Sequence, residues 1–184
     1  AVSNGRLYVF GGQAGSNGVQ SAVYSAQVDG NGHVGTWRSE IGLPEARYLV
    51  SATVWNDRIY VPGGSNSGGA RTGTVYSAPI LANGILGAWR SERGLLDVRS
   101  DNTSTVVNGR LYVIGGKDTT ETGPGYPQAK ILSAPLGANG VVGDWRVETS
   151  TLPDARTAHA VVWNQRMYLT GGISATAVHS TVFS

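Results

Sequence analysis

NGRLYVFGG at residues 4–12 returns as NDRIYVPGG at 56–64, NGRLYVIGG at 108–116 and NQRMYLTGG at 164–172. An internal period of 52 to 56 residues marks a repeat architecture before any single element is assigned. Within each copy the run of Arg, an aliphatic residue or Met, Tyr and Val or Leu has the length and content of a short strand. An Asn precedes it every time, as Asn4, Asn56, Asn108 and Asn164, and in two copies it is Asn-Gly. That dipeptide accepts positive φ at both central positions of a type I′ turn, so each copy reads as the second arm of a hairpin. The first arm is clearest in YLVSATVW at 48–55 and AHAVVW at 158–163. Its early positions are small (Ser51, Ala52, Ser104, Ala158, Ala160), as a strand lining a crowded channel requires.

Beyond the double glycine a third strand is carried by AVYSAQV (22–28), TVYSAPI (74–80), KILSAPL (130–136) and TVFS (181–184). Asn-Gly at Asn31, Asn83 and Asn139 turns the chain into a fourth strand, which holds Trp37, Trp89 or Trp145. Each tryptophan is followed by Arg and, two residues on, by Glu: Arg38 and Glu40, Arg90 and Glu92, Arg146 and Glu148. The tryptophan is expected between neighbouring units. The Arg and Glu are expected on an exposed outer edge, where charge discourages strand addition. The return to the next first strand reads LPEAR, LLDVR and LPDAR, ending in Arg47, Arg99 and Arg156.

Double glycine after a short apolar strand, then a tyrosine about a dozen residues on, then a tryptophan, on this period, resembles the kelch repeat. The tyrosine positions are Tyr24 and Tyr76, with Leu132 and Phe183 in the other two units. The resemblance covers essentially the whole chain. It implies an all-β, kelch-type β-propeller with roughly 3.5 four-stranded blades, strands running from the axis outward, as part of a toroid of about six or seven blades. One domain over residues 1–184 divides into units of roughly 1–46, 47–98, 99–155 and 156–184. Ala1, Val2 and Ser3 align with the end of an inner strand and Ser184 falls inside a third strand. The alternative to a longer toroid is self-association through incomplete end blades.

Composition narrows the functional classes. Net charge is +2, and the arginines recur at fixed places instead of clustering, so a nucleic-acid footprint is not expected. With no Cys, there are no disulfides, thiolate nucleophiles or cysteine-held metals. No apolar run approaches the roughly 18 residues of a membrane span. Low lysine with abundant Gly, Ser, Thr and Asn points to a secreted or cell-surface bacterial protein. His33, His159 and His179 share no recurring partner, so neither a catalytic triad nor a metal set is read, and no cofactor is implied. Counted from the preceding Arg, His159 occupies the place of Val50 and Asn102. The segment from Asp29 to His33 faintly resembles the start of a calcium loop, but the register fails and a turn is the better reading.

Arg47, Arg99 and Arg156, each two residues after an acid (Glu45, Asp97, Asp154), are the sharper ligand candidates. They occupy one loop in successive units, where convergent guanidinium groups could hold a carboxylate or phosphate. The competing reading is that each pairs with loop carbonyls or its own acid, repeated because the fold repeats. The longest loop after a double glycine runs from Lys117 to Pro127 and offers Lys117 and Tyr126 as contacts. The resulting expectation is a non-catalytic binding or scaffold propeller that engages a protein or glycan through its loops. The alternative is part of a carbohydrate-active or sialic-acid-epimerase-like kelch enzyme with an axial arginine pocket. The copper-oxidase branch of kelch proteins is excluded, because its site needs a Tyr linked to Cys.

Overall fold

The computed structural model describes residues 1–15, 18–119 and 127–184. The described residues form fifteen strands in four antiparallel sheets, each built from consecutive strands in chain order. The first sheet holds β1 (Val2–Ser3), β2 (Arg6–Phe10), β3 (Val23–Gln27) and β4 (Arg38–Ser39). The second holds β5 (Thr53–Trp55), β6 (Arg58–Pro62), β7 (Val75–Pro79) and β8 (Arg90–Ser91). The third holds β9 (Thr103–Val107), β10 (Arg110–Ile114), β11 (Ile131–Pro135) and β12 (Arg146–Val147). The fourth has three strands, β13 (Thr157–Trp163), β14 (Arg166–Ile173) and β15 (Val182–Phe183). No helix long and apolar enough to cross a membrane occurs among the described residues.

Each sheet is one blade, and the turn chemistry sets its register. Asn4, Asn56, Asn108 and Asn164 all have positive φ, between 46° and 53°. Each inner strand therefore folds straight back, so that Thr53 pairs Tyr60 and Thr105 pairs Tyr112. The inner strand of the second blade is shorter than YLVSATVW suggests, because Tyr48 leaves the ladder to bridge Ser65 across the loop.

Three contacts recur between successive blades. The Tyr8 hydroxyl donates to Gly84 O at 2.8 Å, and Tyr60 donates to Gly140 O at 2.8 Å. Burial pushes the Tyr60 hydroxyl up to about 12, so it stays a protonated donor. The Trp89 indole N–H donates to Ile41 O and that of Trp145 to Arg93 O, both at 3.0 Å, so the tryptophans do join neighbouring blades. Trp37 of the first blade is 46% exposed, against 7% for Trp145.

The third contact corrects an expectation. Glu40 and Glu92 are not charges on an outer edge. Their side chains are 1% and 2% exposed, and each carboxylate accepts the backbone N–H of the next blade, from Leu86 at 2.9 Å and Val142 at 3.1 Å. Ser25 and Ser77 hydroxyls and the Arg38 and Arg90 guanidinium groups complete the cages. A two-residue strand has few ladder bonds of its own, and a buried carboxylate holding two blades at once anchors it.

The double glycine has a packing reason. Gly63 has φ of +71°, and a Cβ there would lie 2.4 Å from the carbonyl oxygen of Arg99 in the following loop. The same clash recurs at Gly11 with Arg47 and at Gly115 with Arg156. Only glycine lets the loop entering one blade lie against the second strand of the blade before it.

Candidate functional site

The loops that enter the inner strands carry both the arginines and the most varied residues of the repeat. Arg47, Arg99 and Arg156 are at most 1% exposed. The backbone carbonyl of each accepts the second glycine N–H of the preceding blade: Gly12 to Arg47 at 2.7 Å, Gly64 to Arg99 at 2.7 Å, Gly116 to Arg156 at 3.1 Å. The guanidinium turns the other way, into its own blade. Arg47 donates to Gly63 O at 2.9 Å, Arg99 to Gly115 O at 3.1 Å, and Arg156 to Gly171 O at 3.0 Å. Each also pairs with its acid, Arg47 with Glu45, Arg99 with Asp97 and Arg156 with Asp154.

The third-strand tyrosine position now has a role. The Arg47 guanidinium lies 4.9 Å from the Tyr76 ring centroid, and that of Arg156 lies 4.7 Å from Phe183. Where the aromatic is replaced by Leu132, Arg99 takes both Asp97 oxygens from Nη2, at 2.8 and 2.9 Å. The three arginines are thus staples: the backbone carbonyl holds the glycine pair of the preceding blade and the guanidinium holds that of its own. The structure does not bring their guanidinium groups together at the axis.

What does converge is the set of residues just after the arginines. In the second and third blades they are Leu49 and Asp101, Val50 and Asn102, Ser51 and Thr103; in the fourth, His159 pairs as Thr103 does, while Thr157 pairs the residue after the double glycine, as Tyr48 and Ser100 do. The residue after each double glycine, Gln13, Ser65, Lys117 and Ile173, lies beside them. None of these positions repeats its residue from blade to blade, while the arginine, glycine, tyrosine and tryptophan frame does.

Leu49, Val50, Asp101, Asn102, Thr157 to His159, Gly172 and Ile173 line a cavity of about 430 Å³, contributed by three consecutive blades. Next to it the inner strands are cross-linked by polar groups: Ser51 donates to Asn102 Oδ1, and its hydroxyl lies 2.8 Å from that of Ser104. The Ala160 N–H donates to Thr103 Oγ1 at 3.1 Å. Leu49 and Asp101 both have positive φ, 55° and 53°, and the Asp101 N–H donates to Leu49 O at 3.1 Å. A leucine in that region is rare, and here the neighbouring blade holds it.

Among the earlier candidates, Lys117 reaches this rim, its ammonium 3.0 Å from Asp101 Oδ2. Tyr126 lies outside the described residues. His159 belongs to the site for a reason the sequence count concealed. The fourth blade has one residue more before its arginine and one fewer after it, and the shortfall shows as a bulge in which Gly171 and Gly172 lie opposite Ala158, between the Thr157–Ile173 and His159–Thr170 pairs. The bulge places His159 in register with Ser51 and Thr103 instead of Val50 and Asn102, and leaves it exposed at the rim.

The remaining histidines stand apart. His33 lies 3.3 Å from Asp29 in an exposed turn. The Asp29 carboxylate accepts the N–H groups of Asn31 and His33, which hold it below the usual carboxylate range and use it as a turn cap. His179 faces Asp154 at 3.8 Å between the third and fourth blades. No group of three metal-ligating side chains occurs among the described residues.

No protein-family model matches the chain. It is 25% identical over 181 residues to beta-scruin of Limulus polyphemus, which covers 95% of this chain and 19% of that protein. The structure of YjhT superposes with a TM-score of 0.78 at 15% identity, over 99% of this chain and 63% of that one. The chain therefore spans less than two thirds of the length of each of these two proteins.

Proposed function

Starting from the fact that the chain is a run of kelch-repeat β-propeller blades, we propose that it is a non-catalytic binding propeller. It engages a protein or glycan partner through the loop face at the mouth of its inner strands, as a secreted or cell-surface protein. The observation that carries this reading is the split between frame and rim. Four units repeat the residues that hold blades together, while the positions lining the 430 Å³ cavity, Gly172 apart, differ from unit to unit. A rigid scaffold with varied loop residues at one face is the arrangement in which binding resides. Among the described residues the rim carries one carboxylate, one ammonium and one imidazole, in Asp101, Lys117 and His159, with no nucleophile set against a base. That composition favours holding a molecule over transforming it.

The test is binding of the purified chain to an array of immobilised glycans and peptides, repeated with Asp101→Asn and His159→Ala. The expected result is a partner that binds the parent and is lost in both variants at unchanged melting temperature. A partner that binds all three alike, or turnover of the bound molecule, overturns the proposal.

A further inference from the structure

We infer that the cavity at the mouth of the inner strands takes a neutral, hydroxyl-rich ring, a monosaccharide unit, with the Asp101–Lys117 pair as its polar clamp; this rests on the loop face being the binding face. Charge comes first. The Asp101 carboxylate and the Lys117 ammonium compensate each other at 3.0 Å. A ligand anion would meet Asp101 and a ligand cation would meet Lys117. The arginines that would favour an anion are turned into their blades and hydrogen-bonded there. The balanced site therefore discriminates against both charged classes.

Hydrogen bonding comes next. A carboxylate accepts several hydrogen bonds and an ammonium donates three, so the mutual contact leaves capacity on both groups. A hydroxyl is the group that satisfies both at once, donating to Asp101 while accepting from Lys117, and vicinal hydroxyls do so twice. The pair is partly exposed, with side chains 19% and 31% accessible. A pair of that exposure contributes little by itself, so admitting a hydroxyl between its members costs little.

The rest of the wall supplies the complementary surface. Leu49 and Ile173 are exposed large hydrophobics on the rim, with Val50 and Ala158 below them. They offer C–H surface to the apolar face of a sugar ring, while the Thr157 hydroxyl and the His159 imidazole stand at its edge. The 430 Å³ volume lies in the range of small-molecule sites, roughly 300–1,000 Å³.

The experiment is saturation-transfer NMR with the intact chain and a panel of neutral methyl hexopyranosides, using N-acetylneuraminic acid as the acidic probe and glucosamine as the basic one. The expected result is saturable binding of at least one neutral sugar, weakened about tenfold or more in Lys117→Ala and in Asp101→Asn, which keeps the backbone preference at that position. Circular dichroism of both variants should match the parent. Preference for the acid or the amine, equal binding by both variants, or no neutral sugar binding overturns the assignment. If array peptides bind and are lost in His159→Ala while no sugar binds, the loop-face reading stands and the sugar assignment alone fails. If nothing binds the loop face, both fail.

Discussion

Arg99→Ala separates a staple from a ligand-binding arginine. The side chain is 1% exposed and holds three things at once: both oxygens of Asp97, the Gly115 carbonyl at 3.1 Å and, through its backbone, the Gly64 N–H. Truncation keeps the backbone bond but leaves a cavity, an orphaned buried carbonyl and a largely buried carboxylate whose remaining partner is Lys130 at 3.4 Å. Removing one member of a buried pair costs about 3–5 kcal/mol. At about 2–4 °C per kcal/mol for a chain of this size, the melting temperature should fall by about 6–20 °C. Urea unfolding followed by tryptophan fluorescence measures the free energy directly. Arg93→Ala is the control, because its pair with Asp144 is 59% and 85% exposed and should matter by less than about 1 kcal/mol. If Arg99→Ala is no more destabilising than Arg93→Ala, the staple assignment is wrong.

Three further outcomes follow from the contacts between blades. Gly63→Ala places a Cβ 2.4 Å from Arg99 O at φ +71°, and should lower urea stability by at least about 2 kcal/mol. Tyr60→Phe leaves Gly140 O unpaired in a buried junction and should cost about 1–3 kcal/mol, whereas Tyr24→Phe, at a 45% exposed site, should cost almost nothing. Stability should also depend on acid. Burial works against the Glu40 and Glu92 carboxylates, but their Ser, backbone and Arg hydrogen bonds outweigh it; at Glu148 the Ser133 hydroxyl leads, and all three sit below the ordinary value of 4.5. The unfolded chain therefore binds their protons first as pH falls. The stabilisation is whole above about 4.5 and is lost as pH drops through the lower folded values, so the urea midpoint should hold to pH 5 and decline toward pH 3. Ser77→Ala, which removes one of the bonds to Glu92, should shrink that decline.

The frame was readable from the chain because each of its parts needs one residue type. Positive φ selected Asn at the hairpin turns, close approach of the Arg99 carbonyl selected Gly63, and the interblade indole bond selected Trp89 and Trp145. Glu40 was misjudged because local sequence shows a charge near a strand end and not the Leu86 N–H it meets from the next blade, 46 residues on. The arginines looked alike whether staples or ligands, since spacing cannot say which way a guanidinium turns. Asp101 and Leu49 carry no signal in the repeat, because the cavity is lined, Gly172 apart, by residues that do not recur. His159 was misaligned by one residue because a bulge leaves no composition signal.

The central claim is that repeated residues build the frame and unrepeated ones make the contact surface. One triple variant, Leu49→Ala with Asp101→Asn and His159→Ala, tests it most directly by its melting temperature measured alongside binding to the array partner. The account predicts melting within about 5 °C of the parent, since substitutions at exposed or partly exposed sites cost about 0.5 kcal/mol each, together with complete loss of binding. A variant that melts far below the parent, or that melts normally and still binds, would contradict it.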